Sequence, residues 1–325
     1  MKWARNVVRT CMNIKAGERV QVWVDEPLIR QGLALIREIK EIGAETLFVV
    51  FPDSIRPIEK FPETLLATSR ETDVLIRWFN KLVGEAEIGA LISTRNKFTG
   101  DGARMASAVF IDDDVLENEM SADYTEIHRR TEKLAKLIKG GKNVHLTAPG
   151  GTDIKFSIEG RKCLALSGFI HERGMVDNLP AGEVAIAPVE ESADGVVVFD
   201  KSITLAKIGH GMLKTPIALH FRNGRAVKIE GGEEAAKLRI TVKEAGKGAD
   251  VIAELGIGTN DRARLMGNPL TDEKALGTAH IAIGENVRIF GGKNEAKTHI
   301  DGIIGEPTIV VDGKTIMTKG KFVFS

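Results

Sequence analysis

Cysteine is scarce in these 325 residues: Cys11 and Cys163 are the only two. That excludes a disulfide scaffold and any Cys-x-x-Cys zinc module, and it fits a reducing compartment. Net charge is also missing, because 45 Lys and Arg balance 45 Asp and Glu. Attraction to nucleic acid or to an anionic membrane needs clustered excess cations, so neither partner is expected. Long apolar runs are absent. Stretches such as Leu47-Phe48-Val49-Val50-Phe51 are strand-sized, far short of the roughly 20 residues that cross a bilayer. The amphipathic N-terminus is not followed by an apolar core of the kind a secretory leader carries. A soluble, cytoplasmic protein is expected. Glutamine occurs only at Gln21 and Gln31 amid abundant Lys and Glu, a balance that leans towards a heat-adapted source.

What is present reads as two domains, 1–125 and 126–325. In the first, helical and strand periods alternate. Helix-face spacing over residues 2–13 and 27–42 flanks the strands Arg19–Trp23 and Thr46–Phe51, with Gly43 as a helix stop. A helix near 62–70, a strand at Val74–Trp78 and a short helix at 85–92 continue the pattern, which predicts an α/β domain with a mostly parallel sheet. Residues 114–138 read as one long helix behind an Asp112-Asp113-Asp114 N-cap. Glycine then becomes denser, and short strands with turn pairs such as Asn223-Gly224 and Asp312-Gly313 dominate. Helices are expected near 233–247 and 271–276. The second domain is therefore an α+β, sheet-rich domain.

Its candidate chemistry begins at His299-Ile300-Asp301. On an extended segment a His-x-Asp pair points both side chains to one face, where they can share a cation. His280 lies in the apolar run Ala279–Ile283, and Glu254 follows Val251-Ile252-Ala253. A buried imidazole or carboxylate needs a partner, and a metal is one. Glu183 stands at the start of another apolar run. Gly256-x-Gly258 fails as a dinucleotide fingerprint, since Asp261 occupies the place of the third glycine. Glu183, Glu254, His280, His299 and Asp301 together suit two divalent ions that share a bridging carboxylate, a pair able to activate water for amide hydrolysis. Glu183 is the favoured proton carrier, with Glu254 beside it as a catalytic carboxylate. Asp272-Glu273-Lys274 reads as acidic residues in the first turn of a helix. His171-Glu172-Arg173 reads as a surface cluster, His210 as a turn histidine and Cys163 as an inert thiol.

Several motifs occur in order: Asn178-Leu-Pro-Ala-Gly-Glu183, Glu254-Leu-Gly-Ile-Gly-Thr-Asn260, Asp272-Glu273-Lys274, Gly277-Thr-Ala-His280, Gly291-Gly-Lys-Asn294 and His299-Ile-Asp301. Together with Asn13–Val20 they resemble the thermophilic aminopeptidases, the aminopeptidase T and S group of metallopeptidases. The resemblance implies an N-terminal α/β domain, a C-terminal metal domain and a homodimer acting on peptides. It also implies two divalent ions, zinc or cobalt, on Glu183, Glu254, His280, His299 and Asp301. Seven residues after His280 that family has a tyrosine; here the position is Val287, and the single tyrosine is Tyr124. Ring-cleaving dihydroxypyridine dioxygenases use a related fold with one Fe(II), for which His280, His299 and Asp301 would be the facial triad. A non-catalytic binding homologue is the third reading.

Overall fold

The computed structural model describes residues 1–82, 85–205 and 211–324, save for the side chains of residues 85, 86 and 269. Two compact units are present: Met1–His128 with Ser167–Ala181, and Arg129–Leu166 with Gly182–Ser325. The segment Ser167–Ala181 thus returns to the first unit, a feature that a single cut between residues 125 and 126 leaves out.

The first unit is built on five parallel strands in the order Glu45–Phe51, Arg19–Asp25, Val74–Phe79, Arg104–Val109 and Val176–Asn178. Core clusters lie on both faces, which is why Glu45–Phe51, Arg19–Asp25 and Val74–Phe79 carry nearly continuous apolar runs. Val20, Val22, Val74 and Ile76 enter one core cluster, whereas Trp23, Leu75, Phe79 and Met105 enter another. The helix Ile29–Ile42 buries Leu35, Ile36 and Ile39 and ends at Gly43, whose φ of 84° is left-handed. At the N-terminus a turn of α-helix, Lys2–Arg5, widens into a π-helix over Asn6–Cys11, and Trp3, Val7, Val8 and Cys11 are all buried. The strand Arg104–Val109 has no apolar run to announce it. Its Arg104 is buried and holds Glu18 at 2.8 and 2.9 Å.

Two expected helices of this unit are corrected. The short helix at 85–92 runs on over Glu85–Gly100. The long helix over 114–138 is two helices, Asp113–Glu117 and Tyr124–Ile138. Local hydrogen bonding makes the break. The Ser121 hydroxyl donates to the Leu116 carbonyl, and the Asp123 carboxylate accepts from the backbone N–H groups of Thr125 and Glu126 as a fresh N-cap. Asp112 caps the first piece by accepting from Val115 N–H at 2.9 Å.

The second unit holds an eight-stranded and a five-stranded antiparallel sheet. Its hairpins close as read from sequence: φ is positive at Asn223, Gly224, Asp312 and Gly313, as a two-residue I′ turn requires. The two sheets share one core. Leu146, Ile154, Val197 and Phe199 come from the larger sheet, and Val184, Leu255, Ile281 and Ile304 from the smaller. Because side chains alternate along a strand, the neighbours of that second set point to the opposite face of the smaller sheet. Ile281 is fully buried in this core. Ile281→Ala should lower unfolding free energy by about 2–5 kcal/mol, read from the urea midpoint. Val227→Ala, at a position 62% exposed, should leave that midpoint nearly unchanged.

Candidate metal centre

The smaller sheet runs in the order His299–Gly305, Thr278–Gly284, Ile252–Gly258, Glu183–Ile186, Cys163–Leu166. Four adjacent strands therefore carry the five residues singled out from sequence, and all five side chains sit on the face away from the shared core. Cross-strand register clears their space. Glu254 pairs with Ala282, which pairs with Asp301, so a methyl group is all that stands between the two carboxylates. His280 pairs with Gly256, where a Cβ would lie 1.9 Å from the imidazole. That close approach explains the glycine that mimics a nucleotide motif. The register also shifts between Ile252 and Glu254. Strict alternation would put both on one face; the bulge leaves Ile252 in the core and turns Glu254 towards the histidines.

The Glu254 carboxylate spans the cluster. Its Oε1 lies 3.3 Å from His280 Nε2 and its Oε2 lies 3.0 Å from His299 Nε2. His299 Nε2 is also 3.2 Å from Asp301 Oδ1, and His280 Nε2 is 3.6 Å from Glu183 Oε2. Three sets of mutually close donors result: Glu183, Glu254 and His280; Glu254, His299 and Asp301; Glu273, His280 and Asp301. Supporting groups fix the ligands. His299 Nδ1–H donates to the Glu285 carbonyl at 2.7 Å, which turns Nε2 to the cluster, the nitrogen that would hold a metal once its proton is displaced. Phe290 stacks on the same ring at 5.4 Å. The Thr204 hydroxyl donates to Asp301 Oδ2 and accepts from Asp301 N–H. His299 is the most open of the five side chains, 26% exposed against 11% or less for the others.

Asp272-Glu273-Lys274 is corrected as well. The helix expected near 271–276 is a single turn, Pro269–Asp272. Asp272 is spent on structure, accepting from Ser202 Oγ, Met266 N–H and Gly267 N–H. Glu273 and Lys274 follow it as buried residues at the cluster. Lys274 Nζ donates to Glu183 Oε1 at 2.5 Å and to Glu273 Oε1 at 2.6 Å. The sequence offers these residues as a motif of the resemblance and as the start of a helix, with a supporting place beside the metal ligands as the lesser reading; the structure gives Glu273 and Lys274 that place.

This arrangement fits divalent cations. Four carboxylates meet two imidazoles in a buried space, and one ammonium does not balance them. Among the described residues, Glu183 Oε2 and His280 Nδ1 are buried with no hydrogen-bond partner. The titration shifts carry the same message. Burial opposes the charged form of His280, but Glu254 and Glu183 outweigh it and push the imidazole up to about 9. His299 rises well above its usual value, as Asp301 and Glu254 overcome its burial. Burial raises Glu273 to about 8 even beside Lys274. Protons thus occupy the imidazoles when no metal does.

The remaining histidines have other duties. His128 and His171 sandwich Phe169 at 4.1 and 4.8 Å, while His145 and His220 pair with Asp153 and Glu230. His210 lies outside the described residues. Tyr124 is buried, its hydroxyl accepting from Ala181 N–H. Val287 is 38% exposed, two residues from the carbonyl that holds His299. Burial pushes the Cys163 thiol up to about 11, which keeps it protonated. Among the described residues no helix is long and apolar enough to cross a membrane.

A family profile described as NicX, 2,5-dihydroxypyridine 5,6-dioxygenase, matches residues 2–324. The chain belongs to this family. It is equally a relative of the aminopeptidase T and S group that its motifs resemble. It is 30% identical to Aminopeptidase AmpS of Bacillus subtilis over 197 residues, 54% of this chain and 46% of AmpS. It is 31% identical to Aminopeptidase T of Thermus aquaticus over 156 residues, 42% of this chain and 36% of that protein. It is 25% identical to 2,5-dihydroxypyridine 5,6-dioxygenase of Pseudomonas putida over 205 residues, 60% of this chain and 58% of the enzyme. The chain spans about half the length of the curated relatives it matches. Among solved structures, a 2,5-dihydroxypyridine dioxygenase from Pseudomonas putida superposes with a TM-score of 0.79 at 20% identity, covering 100% of this chain and 96% of that one. AmpT from Thermus thermophilus superposes at 0.76 and 19% identity, covering 99% and 98%. At those identities the likeness establishes the fold: a NicX-family chain shares the scaffold of both enzyme types.

The protonated imidazoles make metal-free stability depend on pH. His280 has its folded value near 9 against an ordinary value of 6.5. The stabilisation it carries is complete below about pH 6.5 and is lost as pH rises through about 9. In chelator the melting temperature should fall across that window. With excess zinc it should not, because the metal replaces the protons; parallel thermal scans check both.

Proposed function

We propose that the chain is a metal-dependent hydrolase of aminopeptidase type that removes N-terminal residues from peptides. One observation carries the reading. The two oxygens of Glu254 face different imidazoles, so the shared carboxylate joins two triads rather than completing one. Glu183, Glu254 and His280 would hold one divalent ion, and Glu254, His299 and Asp301 a second, zinc or cobalt. Such a pair, when bound, supplies a water of lowered pKa and polarises a carbonyl oxygen.

The chain's own residues supply the rest. His299, as the most open of the five, marks the side from which a substrate enters. Glu183 has one oxygen fixed by Lys274, and its Oε2 is turned to His280. Glu273 lies across the same ammonium. Burial raises its carboxyl above the ordinary range in the metal-free cluster, which suits it to hold a proton there. Glu183 and Glu273, linked through Lys274, are assigned the transfer of a proton to the leaving amine. Val287 offers no phenol, so oxyanion stabilisation by a side chain at that position is missing. A homodimer, as in the resemblance, is part of the proposal and is checked by light scattering.

A second reading has one specific support: the NicX profile spans nearly the whole chain. There His280, His299 and Asp301 would hold one Fe(II), with open positions for a dihydroxypyridine and oxygen. Asp301 shares a donor set with each histidine, as that triad needs; against it, Glu254 also faces both imidazoles and would add a carboxylate that a facial triad does not use. Elemental analysis of purified protein separates the readings. About two equivalents of zinc or cobalt with release from an aminoacyl reporter supports the hydrolase. One iron with oxygen uptake on 2,5-dihydroxypyridine replaces it. Protein that takes up no metal from replete buffer, and turns over neither substrate, leaves a binding homologue. His299→Ala should strip metal under either enzyme reading. Glu273→Gln should retain metal while kcat on the reporter falls about 10²–10⁴-fold.

A further inference from the structure

Lys274, the last residue of the Asp272-Glu273-Lys274 motif, brings a permanent positive charge into the cluster. It is 2% exposed and lies between two buried carboxylates, at hydrogen-bond distance from one oxygen of each. A buried ammonium is costly unless paired, and a buried pair of carboxylates is costly unless something positive separates them. Here each solves the other's problem. The contact also has a geometric result: with Oε1 of Glu183 taken, only Oε2 remains for His280 and for whatever cation lies beside it.

We propose that Lys274 is the cluster's resident cation. It stands between Glu183 and Glu273 where a further divalent ion would otherwise be drawn, limits Glu183 to a single coordinating oxygen, and thereby caps the metal content of the site. Lys274 is a positioning residue and touches no reacting atom. This rests on the metal-site reading above but not on the reaction catalysed there.

The test uses metal content and affinity. Zinc per chain is measured by elemental analysis, and the weakest zinc dissociation constant by competition with a chromophoric chelator. The whole chain is used, with Lys274→Met, Lys274→Gln and Lys274→Arg. Met removes charge and hydrogen bonds. Gln keeps hydrogen bonding without charge, and Arg keeps the charge. In Met and Gln, either a further zinc equivalent appears or the weakest zinc binds about tenfold tighter. That factor lies between the aqueous and protein limits for one unit charge at this range. Arg stays at the wild-type count and within threefold of its affinity. The proposal is overturned if Met and Gln keep the wild-type count with less than a threefold gain in affinity, or if Arg departs as they do. It is equally overturned if Met and Gln fail to fold even in zinc-replete buffer, since a divalent ion should then replace the ammonium. Wild-type protein that binds no zinc removes the site reading itself, whereas zinc binding with an unchanged count in the variants defeats this proposal alone.

Discussion

Four buried carboxylates facing two imidazoles across one sheet face form the constraint on which the second unit depends. Glu183, Glu254, Glu273 and Asp301 are each 8% exposed or less. Anions gathered this closely out of water repel one another and forfeit hydration. The folded chain tolerates them only with compensating cations. Lys274 is built in, and protons on His280 and His299 serve where divalent ions do not. Folding this sheet and filling the site are therefore linked processes. Burial pushes the carboxyl pKa values up and the imidazole values down. The charge pairing reverses both trends at Glu254, Asp301, His280 and His299.

The five candidate ligands come from strands and not from loops. Glu254, His280 and Asp301 lie within strands whose alternate residues are locked in the core between two sheets, so their backbone positions are held by packing. Loops and neighbouring strands contribute the outer support: Glu285 orients His299, Phe290 stacks on it, and Thr204 grips Asp301. A site built this way is rigid at its centre, with freedom to vary at its rim. Val287 lies on that rim, which is where a change of chemistry would be expected to show first.

That separation explains how one scaffold serves relatives named for peptide hydrolysis and for ring cleavage. Fold alone does not choose between them. Donor count and their partition around Glu254 bear on the choice, because two triads sharing a carboxylate suit paired ions while a lone facial triad suits one. The loss of a phenol at Val287 removes a possible oxyanion partner without altering that partition.

Much was legible because it depends on local periodicity. Alternation and turn pairs marked the parallel α/β unit and the sheet-rich unit; the costliness of isolated charges in apolar runs marked Glu183, Glu254 and His280, and the His-x-Asp spacing marked His299 and Asp301. The break between Glu117 and Tyr124 escaped because the Ser121 and Asp123 side-chain bonds that make it leave helix-compatible residues in the line. The strand Arg104–Val109 escaped because its arginine is buried by a partner distant in sequence, Glu18. By itself, then, the sequence determined that charged and imidazole side chains interrupt apolar strand runs, and so that these side chains need partners. Only tertiary structure decided that four strands align them on one face, that a bulge turns Glu254 between two imidazoles, and that Lys274 arrives beside Glu183. Those outcomes depend on strand register and on contacts between segments far apart along the chain, and no local pattern encodes either.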